Sequence, residues 1–461
     1  MRMTYDVVVI GSGPGGYVAA VRAAQLGLKT ACVEKEKTLG GTCLNVGCIP
    51  SKTLLYSSEQ YHWAKEDSAV CGINCSDVSF DFKTMMERKE SVVQGLVNGI
   101  GGLFKQNGVT HISGTARFSS SNRIEVTDGT KVQSIEARSF ILATGSEPIA
   151  LPFLPFDERI VVSSTGALSL KKVPKKMIVV GAGVIGVELA SLYKRLGSEV
   201  TIVEMLPYIC PPMDDAVRKN LLQVLKKQGI TFLLSAKVTQ AKVTSNSASI
   251  TVEQEGKTVQ LDADVVLVAI GRRPYSQGLG LQELGVKMEK GLVTVDGNFR
   301  TSVPNLYAIG DLIEGPMLAH KASEEGYAVA EILAGNRPHV NYLAIPNVIY
   351  THPEVASVGL TEEEARKAGL EIVIGSAMFR GNARARCNGY TEGFVKVIGL
   401  KETGHLIGMH MVGPQVSEMI NIGVVAIGQK TTLSEIASAP IGHPTLSETI
   451  KEACAKGTLS P

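Results

Sequence analysis

Two stretches of the chain have the same pattern of hydrophobic and polar positions. Each begins with a short apolar run, continues with a glycine-rich turn and a segment of helical spacing, and ends with a second apolar run and an acid. The first extends from Tyr5 to Glu34 and the second from Met177 to Glu204, and 23 residues separate the first glycine from the acid in both. The pattern predicts a strand, a helix and a parallel strand in each stretch, and therefore two βαβ units of one design.

Further apolar runs follow the two units. Residues 140–144 and 266–270 form runs that are each closed by a glycine and soon stopped by a proline. A third run, at 305–309, leads into Gly310 and Asp311. Because glycine allows the backbone to turn sharply, we expect these runs to be strands that end at their glycines.

The pattern changes in two other parts of the chain. Residues 56–108 have a helical and irregular pattern, which predicts an insertion before the first sheet closes. From about Val340 onward, alternating runs such as Phe394 to Ile398 and helical ones such as Thr361 to Ala368 replace the glycine-punctuated strands. This change predicts a separate α+β domain at the C-terminal end.

Composition narrows the class of protein. The chain has 461 residues, 44% of them hydrophobic and 20% charged, so we expect two to four domains with ordinary buried cores. The 46 Lys and Arg residues nearly balance the 44 Asp and Glu residues, which fits neither a disordered chain nor a nucleic-acid-binding polycation. No apolar run approaches the roughly 18 residues of a membrane span, and the first strand begins too early to leave room for a signal peptide. We expect a soluble, cytoplasmic protein that binds neither nucleic acid nor membranes.

The two glycine turns are candidate dinucleotide sites. The first contains Gly11, Gly13 and Gly16, and the second contains Gly181, Gly183 and Gly186. Each follows a predicted strand, opens a predicted helix and precedes an acid by about 20 residues, which is the context that distinguishes a dinucleotide fingerprint from an ordinary turn. We therefore expect two dinucleotides, with Glu34 and Glu204 on ribose hydroxyls. Glu204 would repel a 2′-phosphate and residues 205–212 include no Arg or Lys, so the second site should prefer NAD to NADP.

The segment 40–52 contains two cysteines, Cys43 and Cys48. In an ideal helix their Cα atoms would lie about 8 to 9 Å apart, too far for a disulfide. Pairing would therefore require a distorted segment, for which Pro50 is a candidate cause, and two unpaired cysteines remain the alternative. Lys52 could place a cation against a flavin and form an ion pair with Glu188, although a solvated carboxylate is an alternative for Glu188.

A histidine and an acid lie close together near the C-terminal end. His443 is followed by a proline and, five residues on, by Glu448. Such a pair could keep an imidazole basic enough to take a thiol proton, but it could also simply mark the start of a helix. The other histidines are interpreted as structural or surface residues. Cys71 and Cys75 lack further ligands at zinc spacing, so we expect no metal site.

These motifs together resemble the disulfide flavoprotein reductases, and among them the dihydrolipoamide dehydrogenases. The resemblance extends from Tyr5 to about Cys454 and includes segment 40–52, both fingerprints and the motifs at 269–274, 308–311, 316–321 and 443–448. It implies a homodimer and an α/β fold with two Rossmann-like domains and a C-terminal α+β dimerisation domain. The implied bounds are 1–145 for the FAD domain, 146–273 for the NAD domain, 274–341 for a central domain returning to FAD and 342–461 for the interface domain.

The resemblance also implies roles for individual residues. Cys43 and Cys48 would form the redox disulfide, with Cys43 facing substrate and Cys48 nearest the flavin. His443 and Glu448 would act on Cys43 of the partner subunit, and Lys52 and Glu188 would pair beside the flavin ring. The residues that would contact FAD are Gly11, Gly13, Gly16, Glu34, Lys52, Ala116, Gly145, Asp311 and Ala319, and those that would line NAD are Gly181, Gly183, Gly186, Glu204, Val238 and Gly271.

The implied reaction is the reoxidation of protein-bound dihydrolipoyl groups with reduction of NAD. The lipoyl group would belong to an acyltransferase of a 2-oxo acid dehydrogenase complex or to a glycine-cleavage carrier protein, and the sequence does not distinguish these partners. Three related enzymes fit less well. Glutathione-type reductases favour NADP and a lysine pair after the redox motif, mercuric reductases add a C-terminal cysteine pair where this chain has only Cys454, and a soluble transhydrogenase lacks the redox cysteines. A subunit that acts mainly as a scaffold is the alternative from another class.

Overall fold

The structure is a computed structural model that describes residues 3–459. Its helices are α1 (Pro14–Gln25), α2 (Gly41–Val46), α3 (Cys48–His62), α4 (Phe82–Asn107), α5 (Ser164–Ala167), α6 (Val184–Arg195), α7 (Asp215–Lys227), α8 (Ala319–Leu333), α9 (Glu362–Lys367), α10 (Ala383–Asn388), α11 (Val416–Gly428), α12 (Leu433–Ser438) and α13 (Glu448–Thr458).

The strands are β1 (Met3–Ile10), β2 (Thr30–Glu34), β3 (Thr110–Ser113), β4 (Thr115–Ser120), β5 (Arg123–Asp128), β6 (Lys131–Leu142), β7 (Ser146–Pro148), β8 (Val161–Val162), β9 (Lys176–Val180), β10 (Glu199–Val203), β11 (Thr231–Leu233), β12 (Ala236–Val243), β13 (Ala248–Gln254), β14 (Lys257–Ala263), β15 (Val265–Val268), β16 (Arg272–Pro274), β17 (Met288–Glu289), β18 (Leu292–Val293), β19 (Leu306–Ala308), β20 (Asn347–Ile349), β21 (Glu354–Gly359), β22 (Ile372–Met378), β23 (Phe394–Leu400) and β24 (Leu406–Gly413).

The chain divides into two compact units. The first contains the chain up to Thr53 together with Thr84–Ile149 and Gly271–Val340, and the second contains Leu54–Lys83, Ala150–Ile270 and the chain from Asn341 onward. The predicted domain bounds at 145, 273 and 341 stay predictions.

The first unit is built on a sheet with the order β3-β2-β1-β6-β5-β4, and β19 pairs with β6. The strands β3, β2, β1, β6 and β19 run parallel to one another, whereas β5 pairs antiparallel with β6 and β4 pairs antiparallel with β5. Val7, Val8 and Val9 of β1 are almost completely buried, as expected for a parallel strand covered on both faces. The strand predicted at 305–309 thus joins the first sheet, with its carboxyl end at the same edge as that of β1.

The second unit contains a parallel sheet with the order β11-β10-β9-β15-β8 and an antiparallel meander, β12-β13-β14. The second βαβ prediction is confirmed, because β9, α6 and β10 follow one another and the strands pair in parallel. This unit also contains an antiparallel sheet with the order β20-β21-β24-β23-β22. Helix α9 begins after Thr361, whose side chain forms a capping box with Glu364, and it ends before Ala368, as the sequence predicted.

The observed sheets confirm the predicted α/β fold class with two Rossmann-like units and a C-terminal α+β region. The region 56–108 is helical, with α3 and α4 joined by a short irregular segment. None of the helices in the described part of the chain combines the length and the apolar character needed to cross a membrane.

Candidate active site

The first glycine turn connects β1 to α1. Gly11 has a φ of +102°, and a Cβ at this position would collide with the backbone oxygen of Ala143. A Cβ on Gly16 would collide with the backbone oxygen of Gly11. Gly13 differs, because its Cβ would meet nothing closer than the Cα of Gly41 at 4.0 Å. The outer two glycines therefore allow the backbone to pack, whereas the middle one leaves open space in front of the helix N-terminus.

The second turn repeats this division of roles. A Cβ on Gly181 would lie 2.5 Å from the backbone oxygen of Ala269, and one on Gly186 would collide with Gly181. Gly183 has nothing within 4 Å of its Cβ position. Both turns therefore leave a space beside free backbone N–H groups, which is the environment that a pyrophosphate requires.

The acid at the end of each second strand is held by the same kind of hydrogen bonds. Glu34 Oε2 accepts from the backbone nitrogen of Ser12 at 2.8 Å, and Glu204 Oε2 accepts from that of Ala182 at 2.7 Å. The other carboxylate oxygen accepts from the residue two positions on, Glu36 or Leu206. Glu34 Oε2 also accepts from Ser12 Oγ at 2.6 Å, so both of its acceptor sites are used. In each carboxylate Oε1 keeps a second acceptor site for a ribose hydroxyl.

The structure brings three of the predicted strand ends in the first unit together. Arg272, next to Gly271, donates from Nε to Ser146 Oγ at 2.8 Å. Ser146, next to Gly145, donates from Oγ to Asp311 Oδ2 at 2.5 Å. Burial lowers the pKa of Arg272, and the charge of Asp311 opposes that effect. Neither Ser146 nor Arg272 was predicted as a site residue, although each directly follows a strand-end glycine that was.

The remaining predicted cofactor residues lie on three separate elements. Ala319 is the first residue of α8, and Ala116 lies buried in β4. Val238 is a buried residue of β12 in the meander of the second unit. Their predicted cofactor contacts stay predictions.

Cys43 and Cys48 are joined by a disulfide, with their Cα atoms 4.7 Å apart. The predicted distortion is confirmed, but it lies at Gly47, which separates α2 from α3, and not at Pro50. A Cβ on Gly47 would lie 2.9 Å from the backbone oxygen of Thr42. Pro50 lies in the first turn of α3, where a missing N–H leaves no helical hydrogen bond unmade.

Ser51 in the first unit and Glu188 in the second unit are both buried. Ser51 Oγ, on α3, is buried and has no hydrogen-bond partner within the described residues. Lys52 follows it on the same helix. In the second unit Glu188 is only 3% exposed and accepts from the backbone nitrogen of Tyr350 at 2.9 Å, so the alternative of a solvated carboxylate is wrong. The predicted ion pair between Lys52 and Glu188 stays a prediction.

His443 and Glu448 form the predicted pair. Glu448 Oε1 lies 3.0 Å from His443 Nδ1, and Glu448 Oε2 accepts from the backbone nitrogen of Thr445 at 2.9 Å. The Thr445 N–H and the hydrogen bond with His443 lower the pKa of Glu448. Glu448 also opens α13, so both interpretations of the motif hold at once. The His443 side chain is 73% exposed, which leaves its Nε2 accessible to a substrate.

Three of the free cysteines are buried, unlike the cysteines of the redox pair, which are partly exposed. Burial raises the pKa of the Cys32 and Cys210 thiols far above the usual range and that of Cys454 to about 12. Thiols in such surroundings are poor nucleophiles. Within residues 3–459, no group of three or more His, Cys, Asp or Glu side chains is arranged to hold a metal ion.

Two models of known families match the chain. Residues 5–326 match the pyridine nucleotide-disulphide oxidoreductase model, and residues 345–454 match the dimerisation domain of the same family. The chain belongs to the pyridine nucleotide-disulphide oxidoreductase family. Membership confirms the predicted oxidoreductase class with FAD and NAD as cofactors, and the second match supports the predicted homodimer.

Named relatives and solved structures agree with this family. The chain is 49% identical to the mitochondrial dihydrolipoyl dehydrogenases of Bos taurus and Schizosaccharomyces pombe, with 97% of this chain and 89% of each relative covered. It is similar to LpdA from Mycobacterium tuberculosis, with a TM-score of 0.91, 27% identity and complete coverage of both chains. It is also similar to the flavoprotein disulfide reductase RclA from Escherichia coli, with a TM-score of 0.86, 28% identity, and 98% and 99% of the two chains covered.

The residues of this oxidoreductase fit both cofactors. In the first unit, FAD could occupy the space at Gly13. It could also form hydrogen bonds with the carboxylate of Glu34 and with the Ser51 hydroxyl, which has no partner within the described residues. In the second unit, the space at Gly183 and the carboxylate of Glu204 provide the same features for NAD.

Proposed function

We propose that the protein is a dihydrolipoyl dehydrogenase, which oxidises dihydrolipoyl groups carried by a partner protein and reduces NAD. The Cys43–Cys48 disulfide carries this proposal, because it lies in the first unit on the segment that contacts the turn that would hold FAD: the Gly40 nitrogen, just before α2, donates to Ser12 Oγ at 3.1 Å. The high identity to dihydrolipoyl dehydrogenases over nearly the whole chain supports the same substrate class.

The cofactors have separate places in this proposal. Gly11, Gly13, Gly16 and Glu34 would hold the pyrophosphate and ribose of FAD, and Asp311 would accept a hydrogen bond from another of its hydroxyls. Gly181, Gly183, Gly186 and Glu204 would hold NAD in the second unit. Bound together, FAD and NAD supply the redox chemistry that returns the reduced cysteines to a disulfide.

The chain's own residues perform the thiol chemistry. His443 accepts a proton at Nε2 from one dihydrolipoyl thiol, while Glu448 keeps Nδ1 occupied and stabilises the imidazolium. The resulting thiolate attacks Cys43 Sγ and displaces the Cys48 thiolate. The second dihydrolipoyl thiol releases its proton to solvent, and its sulfur attacks the substrate sulfur of the mixed disulfide, which forms the cyclic disulfide and displaces the Cys43 thiolate. The His443 imidazolium returns its proton to that thiolate, so Cys43 and Cys48 are left reduced. Two electrons thereby move from the substrate to the cysteine pair.

The arrangement of subunits and the location belong to the same proposal. His443 and Glu448 would act on Cys43 of the other subunit, so each homodimer would contain two shared sites. The lipoyl group would come from an acyltransferase or glycine-cleavage carrier protein. We also propose a cytoplasmic location, which fractionation of the source cells would test.

A spectrum and an assay test the function. The purified protein should show flavin absorbance that is bleached by dihydrolipoamide, and it should form NADH from dihydrolipoamide and NAD much faster than NADPH from NADP. Glutathione disulfide with NADPH, assayed in parallel, should give no turnover. Absence of flavin, or turnover of glutathione disulfide at a comparable rate, would contradict the proposal.

Replacement of the first cysteine is the sharpest single test. C43S should keep bound FAD, because Cys43 lies outside the glycine turn, but it should lose NADH formation from dihydrolipoamide, because no disulfide remains to attack. The matched control is C71S, which replaces an exposed free cysteine and should behave like the wild type. Retained turnover in C43S would remove the disulfide from the mechanism.

A further inference from the structure

A buried ion pair on α8 forms hydrogen bonds with both the backbone N–H and the backbone C=O of Gly310. Glu325 Oε2 accepts from the backbone nitrogen of Gly310 at 2.7 Å, and Lys321 Nζ donates to the backbone oxygen of Gly310 at 3.0 Å. Lys321 Nζ lies 3.1 Å from Glu325 Oε1, one helical turn away on the same helix. These contacts close a ring of Gly310, Lys321 and Glu325 within the first unit.

The ring is not explained by stability alone. Both side chains are completely buried, and removing two charges from water carries a penalty that their mutual attraction often fails to offset. Apolar residues of similar size in such places commonly leave a fold equally stable. A buried pair that contacts one particular backbone residue is therefore suited to fixing the position of that residue.

Other contacts already hold α8 in place. Gly326 lies so close to the backbone of Gly15 that a Cβ there would collide with it, and Arg22 of α1 forms an ion pair with Glu331 of α8. These contacts pack α8 against α1 and involve neither Lys321 nor Glu325. The buried pair is therefore not needed to hold α8 in place.

The residue whose position depends on the Gly310 backbone is the next one, Asp311. Gly310 has a φ of +70°, a backbone conformation in which glycine is favoured, and Asp311 follows it. Asp311 is also held through its side chain, which accepts from Ser146 Oγ. We propose that Lys321 and Glu325 are positioning residues that fix the Gly310 turn and so aim the Asp311 carboxylate at a hydroxyl of FAD. This inference rests on the FAD role proposed for Asp311.

A double-mutant cycle on FAD release tests the inference. The variants are K321M/E325L, which keeps the volume but removes both charges, D311A, and the triple variant. Each purified holoenzyme is held at a fixed temperature, and the flavin that passes an ultrafiltration membrane is measured over time. Thermal unfolding of each variant is followed by circular dichroism.

We expect K321M/E325L and D311A each to release FAD at least about tenfold faster than the wild type, which corresponds to loss of one hydrogen bond to a charged group. The triple variant should release FAD no faster than D311A, since the pair acts through Asp311. Rates that multiply in the triple variant, or an unchanged rate in K321M/E325L, would overturn the positioning role. An unchanged rate in D311A would overturn the Asp311 assignment as well, whereas a wild-type protein purified without flavin would overturn the proposed function.

A milder variant covers the case in which the apolar pair does not fold. In E325Q the amide oxygen can still accept from Gly310, but the charge that neutralises Lys321 is lost. FAD release should be faster than in the wild type by a smaller factor, and again not in the D311A background. R22Q is the matched control, because it breaks an ion pair to the same helix without contacting Gly310, and its FAD release should stay at the wild-type rate.

Discussion

Glu34 and Glu204 occupy equivalent places in the two βαβ units and make equivalent hydrogen bonds. Their positions and those of the six fingerprint glycines could be predicted because each depends on neighbours along the chain. Contacts between distant residues could not. The loop after Glu204 includes no Arg or Lys, yet the structure places the Arg218 guanidinium 4.2 Å from the centre of the Tyr208 ring in that loop. The predicted preference for NAD over NADP therefore depends on Glu204 itself rather than on a lack of positive charge nearby.

Prediction from the sequence was limited in the same way for the redox pair, Cys43 and Cys48. Spacing alone left both paired and unpaired cysteines open, because the break at Gly47 is a backbone contact with Thr42 that no periodicity reveals. The Arg272–Ser146–Asp311 hydrogen bonds were missed for a similar reason, since they join residues from three strand ends far apart in sequence.

Replacement of Glu448 tests the proposed base. E448Q should lower turnover with dihydrolipoamide about 10²-fold with FAD content unchanged, because the amide cannot stabilise the imidazolium of His443. The folded-state pKa of Glu448 is lowered, so the carboxylate is present above its usual value of 4.5 and is lost only as the pH falls through a lower value. Glu448 is therefore charged throughout pH 6 to 8, and E448Q should be slower than the wild type at every pH in this range, which initial rates at several pH values would measure.

The control for this change lies on the same helix. Glu452 of α13 is exposed, and E452Q should keep wild-type turnover. Equal turnover of E448Q and E452Q would show that the pair merely starts the helix.

At the scale of elements, long apolar runs and glycine turns predicted β1, α1, β2, β9, α6 and β10, and the Thr-x-x-Glu pattern agrees with the start of α9. The meander β12-β13-β14 was not predicted. Buried and more exposed positions alternate in β13 and in the first part of β12, whereas β14 is mostly exposed. The three strands carry many polar side chains and are stabilised by pairing with one another. Such strands give a weaker sequence signal than the fully buried parallel strands.

The middle glycine of the second fingerprint offers a test of the α6 N-terminus. Gly183 has φ −73° and ψ −179°, which any residue can adopt, and its Cβ position is free of protein atoms. G183A should therefore fold with nearly wild-type thermal stability, since the gain of about 0.4–1 kcal/mol from Gly→Ala at a compatible site is offset by alanine being a poorer N-cap residue than glycine. Its KM for NAD should rise about 10- to 100-fold, because the methyl group would occupy the space left for the pyrophosphate and cost a charge-assisted hydrogen bond.

The first fingerprint supplies the matched comparison. In G13A the methyl group would enter the equivalent space of the first unit, so FAD release should accelerate while the KM for NAD stays unchanged. An unchanged KM for NAD in G183A would show that the space does not hold this cofactor.

At the scale of the whole molecule, contacts between residues far apart in the sequence connect the elements of a unit. In the second unit Lys396 of β23 donates to Asp214, the N-cap residue of α7, at 2.9 Å and to Glu362 of α9 at 2.8 Å. Burial raises the pKa of Asp214 and is the largest single influence on it, but the Lys396 hydrogen bond and the charges of His410 and Lys396 together outweigh burial and leave that pKa lowered. Sequence could not predict this cluster, because 182 residues separate Asp214 from Lys396.

Removing the lysine should destabilise the second unit. K396M leaves Asp214 buried without its cation and should cost about 3–5 kcal/mol at pH 7, which urea unfolding would measure. Because the folded-state pKa of Asp214 is lowered, its contribution is present above the usual value of 3.8 and is lost as the pH falls through the lower folded value. The difference between wild type and K396M should therefore shrink below pH 3.8, and a difference independent of pH would contradict the ion-pair explanation.

Shared sites can be tested with mixed dimers. C43S and H443Q should each be inactive alone, but co-expression gives hybrid dimers in which one site combines the intact Cys43 of one subunit with the intact His443 of the other. About half of randomly assembled dimers are hybrids, so the mixture should recover about a quarter of wild-type turnover. If Cys43 and His443 of the same subunit form the site, the mixture should stay inactive.

The free cysteines differ in exposure, so chemical labelling of thiols can measure the redox state of the protein. Three free cysteines are buried, namely Cys32, Cys210 and Cys454, and three are exposed, namely Cys71, Cys75 and Cys387. A bulky alkylating reagent should therefore label the oxidised protein rapidly at the three exposed positions only. Reduction by substrate adds the thiols of the redox pair to this set, so mass spectrometry after a brief labelling pulse would report how much of the protein in a sample is reduced.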